Sequence, residues 1–179
     1  MGNFIDKTFT VIADILLKIL PASKKEKDAH SYYRAGLSEQ SKGNYNGALK
    51  NYYESLQLEE DEYDRSYTIY NIGLVYLETG RKNKALGFFH QAVELNDNLP
   101  QALNNIGIIY HSQGTRAQYL GVRSDDDREY ERYIKLSEEL FDKAGEYWNQ
   151  ALERAPDSYP GPRNWLKVTG RLKDSNKSY

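Results

Sequence analysis

Chemistry would first be sought at the three histidines, His30, His90 and His111, but they stand apart from one another. None belongs to a His-Glu-x-x-His pair, the spacing that sets two imidazoles on one helix face around a zinc ion, and none has a carboxylate at ligand spacing. The 179 residues include no Cys, which removes thiolate nucleophiles, thiolate zinc sites and disulfides together. No Gly-x-Ser-x-Gly elbow and no phosphate-cradling loop occurs. The pair Glu138 and Glu139 and the run from Glu59 to Asp61 suit a solvated helix surface. Asp125, Asp126 and Asp127 stand where N-cap and first-turn acids favour a helix start, which accounts for them without a metal. The sequence therefore predicts a protein that is not an enzyme, with no catalytic, metal or cofactor site and no small-molecule substrate.

What recurs instead is tyrosine, 16 of 179 residues against 5 Phe and 2 Trp. Such an excess suits positions where the ring packs and the hydroxyl stays wet. With 39% hydrophobic and 28% charged residues the chain has a foldable composition, and its length suits one domain or one compact array. Its formal charge is −2, from 24 basic and 26 acidic residues, so no global field draws nucleic acid. Lys24, Lys25 and Lys27 form no basic stripe because Glu26 and Asp28 offset them.

Residues 1–21 are apolar enough to require a decision. Asp6, Lys7, Asp14 and Lys18 interrupt the stretch, so it does not read as a membrane span, which needs about 20 mostly apolar residues. The order of charges fits neither a secretory signal nor an organelle transit peptide. Asp6 also stands where a myristoylation motif wants Ser or Thr. Ile5, Phe9, Ile12, Leu16 and Ile19 recur every three or four residues, with Phe4 beside them, and Pro21 stops the pattern. This is an amphipathic helix. Two roles fit it: covering a hydrophobic edge of the fold, or contacting a membrane surface or a partner.

The chain beyond it is repetitive. Gly36, Gly73 and Gly107 are separated by 37 and then 34 residues, and Gly43, Gly80 and Gly114 repeat both intervals. Ala48 to Ala85 and Tyr52 to Phe89 again span 37, whereas Ala85 to Ala144 and Phe89 to Trp148 span 59. One period has thus gained 25 residues. The pattern resembles the tetratricopeptide repeat, a 34-residue helical hairpin. Small residues such as Gly36, Ala48 and Ser55 let the paired helices approach, and Tyr52, Phe89 and Trp148 fill the gap. Gly43, Gly80 and Gly114 are expected to end the first helix of each pair.

The resemblance implies an all-α fold: a TPR superhelix of three helix-turn-helix repeats, with the N-terminal amphipathic helix and a C-terminal capping helix. The expected divisions are 1–21, a linker 22–28, repeats at 29–62, 66–99 and 100–157, a capping helix 159–171 and a tail 172–179. The insertion leaves residues 115–131 open, with an irregular stretch near Gly121 to Asp127 and a long helix from about Asp126 to Ala155.

By the register of that family the first helices line a groove. Its expected residues are His30, Tyr33, Arg34 and Leu37, then Tyr67, Tyr70, Asn71 and Leu74, then Gln101, Asn104, Asn105 and Ile108. Rings and amides with one charge suit an extended peptide. The clamp that holds acidic chaperone tails is excluded. Tyr33, Leu37, Gln101 and Asn105 occupy the places where that clamp needs Lys, Asn, Lys and Arg, and only Asn71 matches.

Several strings go further: Asn3-Phe4-Ile5-Asp6-Lys7-Thr8-Phe9, Tyr63-Asp64-Arg65-Ser66-Tyr67, Leu99-Pro100-Gln101-Ala102, Glu146-Tyr147-Trp148 and Asn164-Trp165-Leu166-Lys167. In this order they resemble the TPR-containing photosystem I assembly factors of chloroplasts and cyanobacteria. That resemblance implies a non-enzymatic factor, peripheral on the stromal or cytoplasmic side of the thylakoid membrane, whose partners are photosystem I subunits and other assembly factors. A structural adaptor acting through its convex face or the repeat-three extension is the alternative.

Overall fold

The computed structural model describes residues 23–173. Among them are seven helices and no strand: α1 Lys24–Ser41, α2 Tyr45–Leu58, α3 Glu62–Glu78, α4 Lys82–Leu95, α5 Pro100–Val122, α6 Asp127–Arg154 and α7 Pro160–Val168. The amphipathic stretch 1–21, with Phe4, Ile5, Phe9, Ile12, Leu16 and Ile19, lies outside the described residues, as does 174–179. Two compact units divide the chain, Met1–Asn96 and Asp97–Tyr179.

The first unit is a pair of hairpins, α1 with α2 and α3 with α4. Helix α1 starts inside the stretch expected as linker because Ser23 and Glu26 form a capping box there, with Glu26 N–H on Ser23 Oγ at 3.1 Å and Ser23 N–H on Glu26 Oε2 at 2.7 Å. Each hairpin turns at a glycine in the left-handed region, Gly43 and Gly80, both at φ 76°. Within the hairpins the chains come close enough that a side chain would collide. A Cβ on Gly36 would lie 2.5 Å from the ring of Tyr52, and one on Gly73 would lie 2.7 Å from Phe89. The buried Tyr52 ring keeps its hydroxyl satisfied by donating to Gln40 Oε1 at 2.7 Å.

Between the hairpins, Arg65 donates to the carbonyls of Leu56 and Glu59, both at 2.8 Å, and so caps the end of α2 from α3. Tyr33, Ala48, Tyr52, Ile72 and Val75 form one buried cluster that joins the two hairpins of this unit. Leu37, Leu56, Tyr76 and Phe88 seal its edge.

The second unit departs from the expectation. Gly114 does not end a helix; α5 runs through it to Val122. Nor is the extra chain confined to the second helix, since α5 and α6 are both lengthened and only residues 123–126 separate them. The reason is a sevenfold spacing on each partner. Gly107, Gly114 and Gly121 lie on one face of α5, and Trp148, Phe141 and Ile134 oppose them in antiparallel register. A Cβ on Gly107 would lie 2.5 Å from the Trp148 indole, one on Gly114 2.8 Å from Phe141, and one on Gly121 3.3 Å from Ile134. The added residues thus repeat the ring-to-glycine contact once, at Phe141, and extend the seam with the aliphatic Ile134. Asp126 is the N-cap of α6, accepting from the N–H groups of Arg128 and Glu129 at 2.8 and 3.2 Å.

Helix α7 covers the open end of that hairpin, placing Leu166 among Ala144, Trp148 and Leu152. The first residues of the expected tail are also tied down. Gly170 turns the chain at φ 69°, and the buried Asn149 donates to Arg171 O at 2.8 Å and accepts from Lys173 N–H at 2.9 Å.

The seam gives a paired prediction. Gly73→Ala should cost about 1–3 kcal/mol through overpacking against Phe89. Gly87→Ala, on an exposed face of α4 with nothing within 4 Å, should add about 0.5–1 kcal/mol. Urea unfolding of the two variants checks both signs, and equal effects would remove the ring contact as the cause.

Candidate functional site

The twelve residues expected to line the groove sit on the first helix of each hairpin. His30, Tyr33, Arg34 and Leu37 share a face of α1, and Tyr67, Tyr70, Asn71 and Leu74 share the equivalent face of α3. In the second unit Gln101, Asn104, Asn105 and Ile108 share a face of α5.

Their exposure corrects the picture of a surface lined by tyrosine rings. Tyr33 is 4% exposed and belongs to the buried cluster, its ring 6.1 Å from that of Tyr52. Tyr70 is buried with its ring 5.6 Å from Phe89, and Tyr67 is buried with its hydroxyl 3.2 Å from that of Tyr63. For Tyr33 and Tyr70 the tight approach of the helices is the cause: each ring reaches the second helix of its own hairpin. The accessible groups on the first unit's face are Arg34, with the half-buried His30, Leu37 and Leu74. On α5 the amides are half-buried, and Ile108 is 43% exposed, open to a partner.

Asn71 shows what the polar groups of this face do. It is 1% exposed and donates from Nδ2 to the hydroxyl oxygen of Tyr33 at 3.0 Å, tying α3 to α1. Its own carbonyl oxygen, Asn71 Oδ1, is buried without a hydrogen-bond partner. Gln101 Oε1 and Asn104 Oδ1 share that condition. A buried acceptor left unpaired costs about 1–3 kcal/mol. All three atoms are amide carbonyls, and all belong to the first-helix faces.

A group of acidic residues lies beside this face. Asp64, in the first turn of α3, has its pKa pushed up to about 6, chiefly by burial and further by Glu59 and Asp61, with His30 pulling the other way. The folded state therefore holds this proton more tightly than the unfolded chain. The associated stability is complete below the ordinary carboxylate range and is lost as pH rises through about 6.

One constellation was not legible in the sequence. His111 is surrounded by the rings of Phe141, Trp148 and Trp165, with centroids 5.4, 5.4 and 5.2 Å away. Burial lowers its pKa, favouring the neutral imidazole. Arg171 lies over Trp165 at 5.5 Å and bonds Asp142 at 2.8 Å, with Glu138 as a further partner. The spacing from His111 to Trp165 gave no hint, because α7 brings them together by folding back. Among the described residues no group of three His, Asp or Glu could hold a metal, and no helix is long and apolar enough to cross a membrane.

The tetratricopeptide repeat family matches residues 29–62 and 66–99, and the helices there make this an all-α fold of that type. Over 176 residues the chain is 70% identical to the photosystem I assembly protein Ycf3 of Phaeodactylum tricornutum, covering 98% of this chain and 100% of that one. Identity is 56% to the protein of the same name from Cyanophora paradoxa, over 96% and 92% of the two chains. With that of the cyanobacterium Rippkaea orientalis it is 54%, over 94% and 91%.

Asp64→Asn should raise stability at neutral pH, with the gain disappearing below about pH 4, where the native carboxyl is protonated as well. Thermal midpoints of both proteins across pH 3 to 8 measure this; a gain independent of pH would show that charge at Asp64 is not its source.

Proposed function

The chain belongs to the Ycf3 family of photosystem I assembly proteins, and from that premise we propose that it is a non-enzymatic assembly factor for photosystem I that holds newly made subunits on its first-helix faces. The observation that carries this reading is identity along nearly the whole chain to proteins bearing that name. The residues agree with it. Half-buried amides on α5 (Gln101, Asn104 and Asn105) and the exposed Ile108 beside them suit contact with another polypeptide.

Each unit offers a surface of its own: the face of α5 around Ile108 in the second, and the face with Arg34, Leu37 and Leu74 in the first. Buried Tyr33, Tyr67, Tyr70 and Asn71 hold that surface in shape. The factor works peripherally at the stromal or cytoplasmic side of the thylakoid membrane. The segment carrying Phe4, Ile5, Phe9, Ile12, Leu16 and Ile19 supplies the contact with lipid or with a membrane partner. Mixed charges at Asp6, Lys7, Asp14 and Lys18 leave apolar burial as its main attraction.

A second reading has its own support. Tyr119, Leu120, Val122, Tyr130 and Leu136 are all exposed on the lengthened part of α5 and α6. This surface suits an adaptor that joins other assembly factors.

Ile108→Asp alters an exposed position, so it should leave helicity and the thermal midpoint unchanged while cutting recovery of photosystem I subunits in a pull-down by about fivefold or more. Full recovery would count against the face. A photo-crosslinker at Ile108 should label a photosystem I subunit; labelling confined to position 130 would favour the adaptor. Deleting Met1 to Leu20 should move the protein from the thylakoid to the soluble fraction, and retention on the membrane would reject the anchoring role.

A further inference from the structure

We infer that α6 pairs with α6 of a second copy of this chain, antiparallel and across a two-fold axis, which makes the lengthened hairpin a self-association surface. This goes beyond the proposed client-binding face and does not depend on it. Tyr133, Leu136 and Leu140 follow one another at three- and four-residue spacing and share one stripe of α6. The stripe lies about 100° round the helix from Ile134 and Phe141, which are turned to α5. Leu136 is 41% exposed, and Tyr133 and Leu140 are half-buried. Tyr133 abuts α5 at Gly121, where a Cβ would lie 3.1 Å from its own, and the preceding Leu120 is 39% exposed.

Charge identifies the occupant. Arg132 and Glu139 border the same edge of the stripe, and both are exposed. Arg132 lies over the Tyr133 ring at 5.2 Å, and among the described residues neither it nor Glu139 has an ion-pair partner. Within one copy they stand about 10 Å apart along the helix axis. An antiparallel pair brings them together. Setting Tyr133 against Leu136 of the second copy sets Arg132 against Glu139 of that copy, and the two-fold axis repeats both contacts. A parallel pair would instead crowd the two runs of Asp125, Asp126 and Asp127 at one end. From Arg132 to Leu140 the helix advances about 12 Å, which makes a small interface and a weak dimer, forming at roughly tens of micromolar.

Sedimentation velocity of the full-length chain from about 1 to 300 µM should show monomer passing to dimer as concentration rises. Arg132→Glu and Glu139→Arg should each weaken the dimer about tenfold or more, with helicity and thermal midpoint unchanged because both positions are exposed. An equimolar mixture of the two single variants should restore it, since each contact between positions 132 and 139 in the mixed dimer again joins opposite charges. A chain that stays monomeric throughout, a dimer that both single variants leave intact, or a mixture that remains monomeric would overturn the inference. A photo-crosslinker at Leu136 should label a second copy; labelling of a different protein alone would assign this surface to the adaptor instead. If dimerisation fails while Ile108 crosslinks to a photosystem I subunit, only this inference falls. If the chain dimerises and Ile108 crosslinks to nothing, the client face falls and the self-association stands.

Discussion

A ring pressed onto a glycine is the contact from which the rest of this molecule follows. Tyr52 on Gly36, Phe89 on Gly73 and Trp148 on Gly107 are three chemical versions of one arrangement. Removing the Cβ lets the helix axes approach until the ring fills the missing volume. Close approach then fixes which side of each first helix faces inward and which stays at the surface. The polar edge of the ring is handled separately each time: the Tyr52 hydroxyl goes to Gln40, Phe89 has none, and the Trp148 indole goes to a carbonyl of the facing helix.

Most of this framework was legible, because glycine and ring recur at fixed intervals and only helical hairpins explain that recurrence. The lengthened hairpin was harder for a physical reason. A glycine that ends a helix and a glycine that admits a ring look identical in sequence. Gly43 and Gly80 are of the first kind and Gly114 of the second. What decides between them is the opposing residue, and for Gly114 that is Phe141, on the far side of a turn. The sevenfold spacing of Gly107, Gly114 and Gly121 against Ile134, Phe141 and Trp148 was present in the sequence and is the signal that distinguishes the two cases.

The groove residues were located by register, and register alone does not report depth. Tyr33 and Tyr70 stand on the expected face, yet their rings reach the second helix and become core. Arg34, Leu37 and Ile108, with smaller reach or different heading, stay accessible to varying degrees. Different side chains of the same helical stripe are therefore buried in the core and left at the surface. The unpaired amide oxygens were not legible at all, since an asparagine's free atom depends on which neighbour takes its other one.

The third hairpin is closed by residues that come after it in the chain. Trp165, Leu166 and Arg171 complete the enclosure of Trp148 and His111, and Asn149 locks onto the backbone of Arg171 and Lys173. A ribosome-bound chain that has extruded α5 and α6 still holds these pieces inside the exit tunnel. During that interval an indole and a phenyl ring lie uncovered along one flank. This unit therefore completes its enclosure only once residues 160–173 have emerged, after both earlier hairpins have left the ribosome.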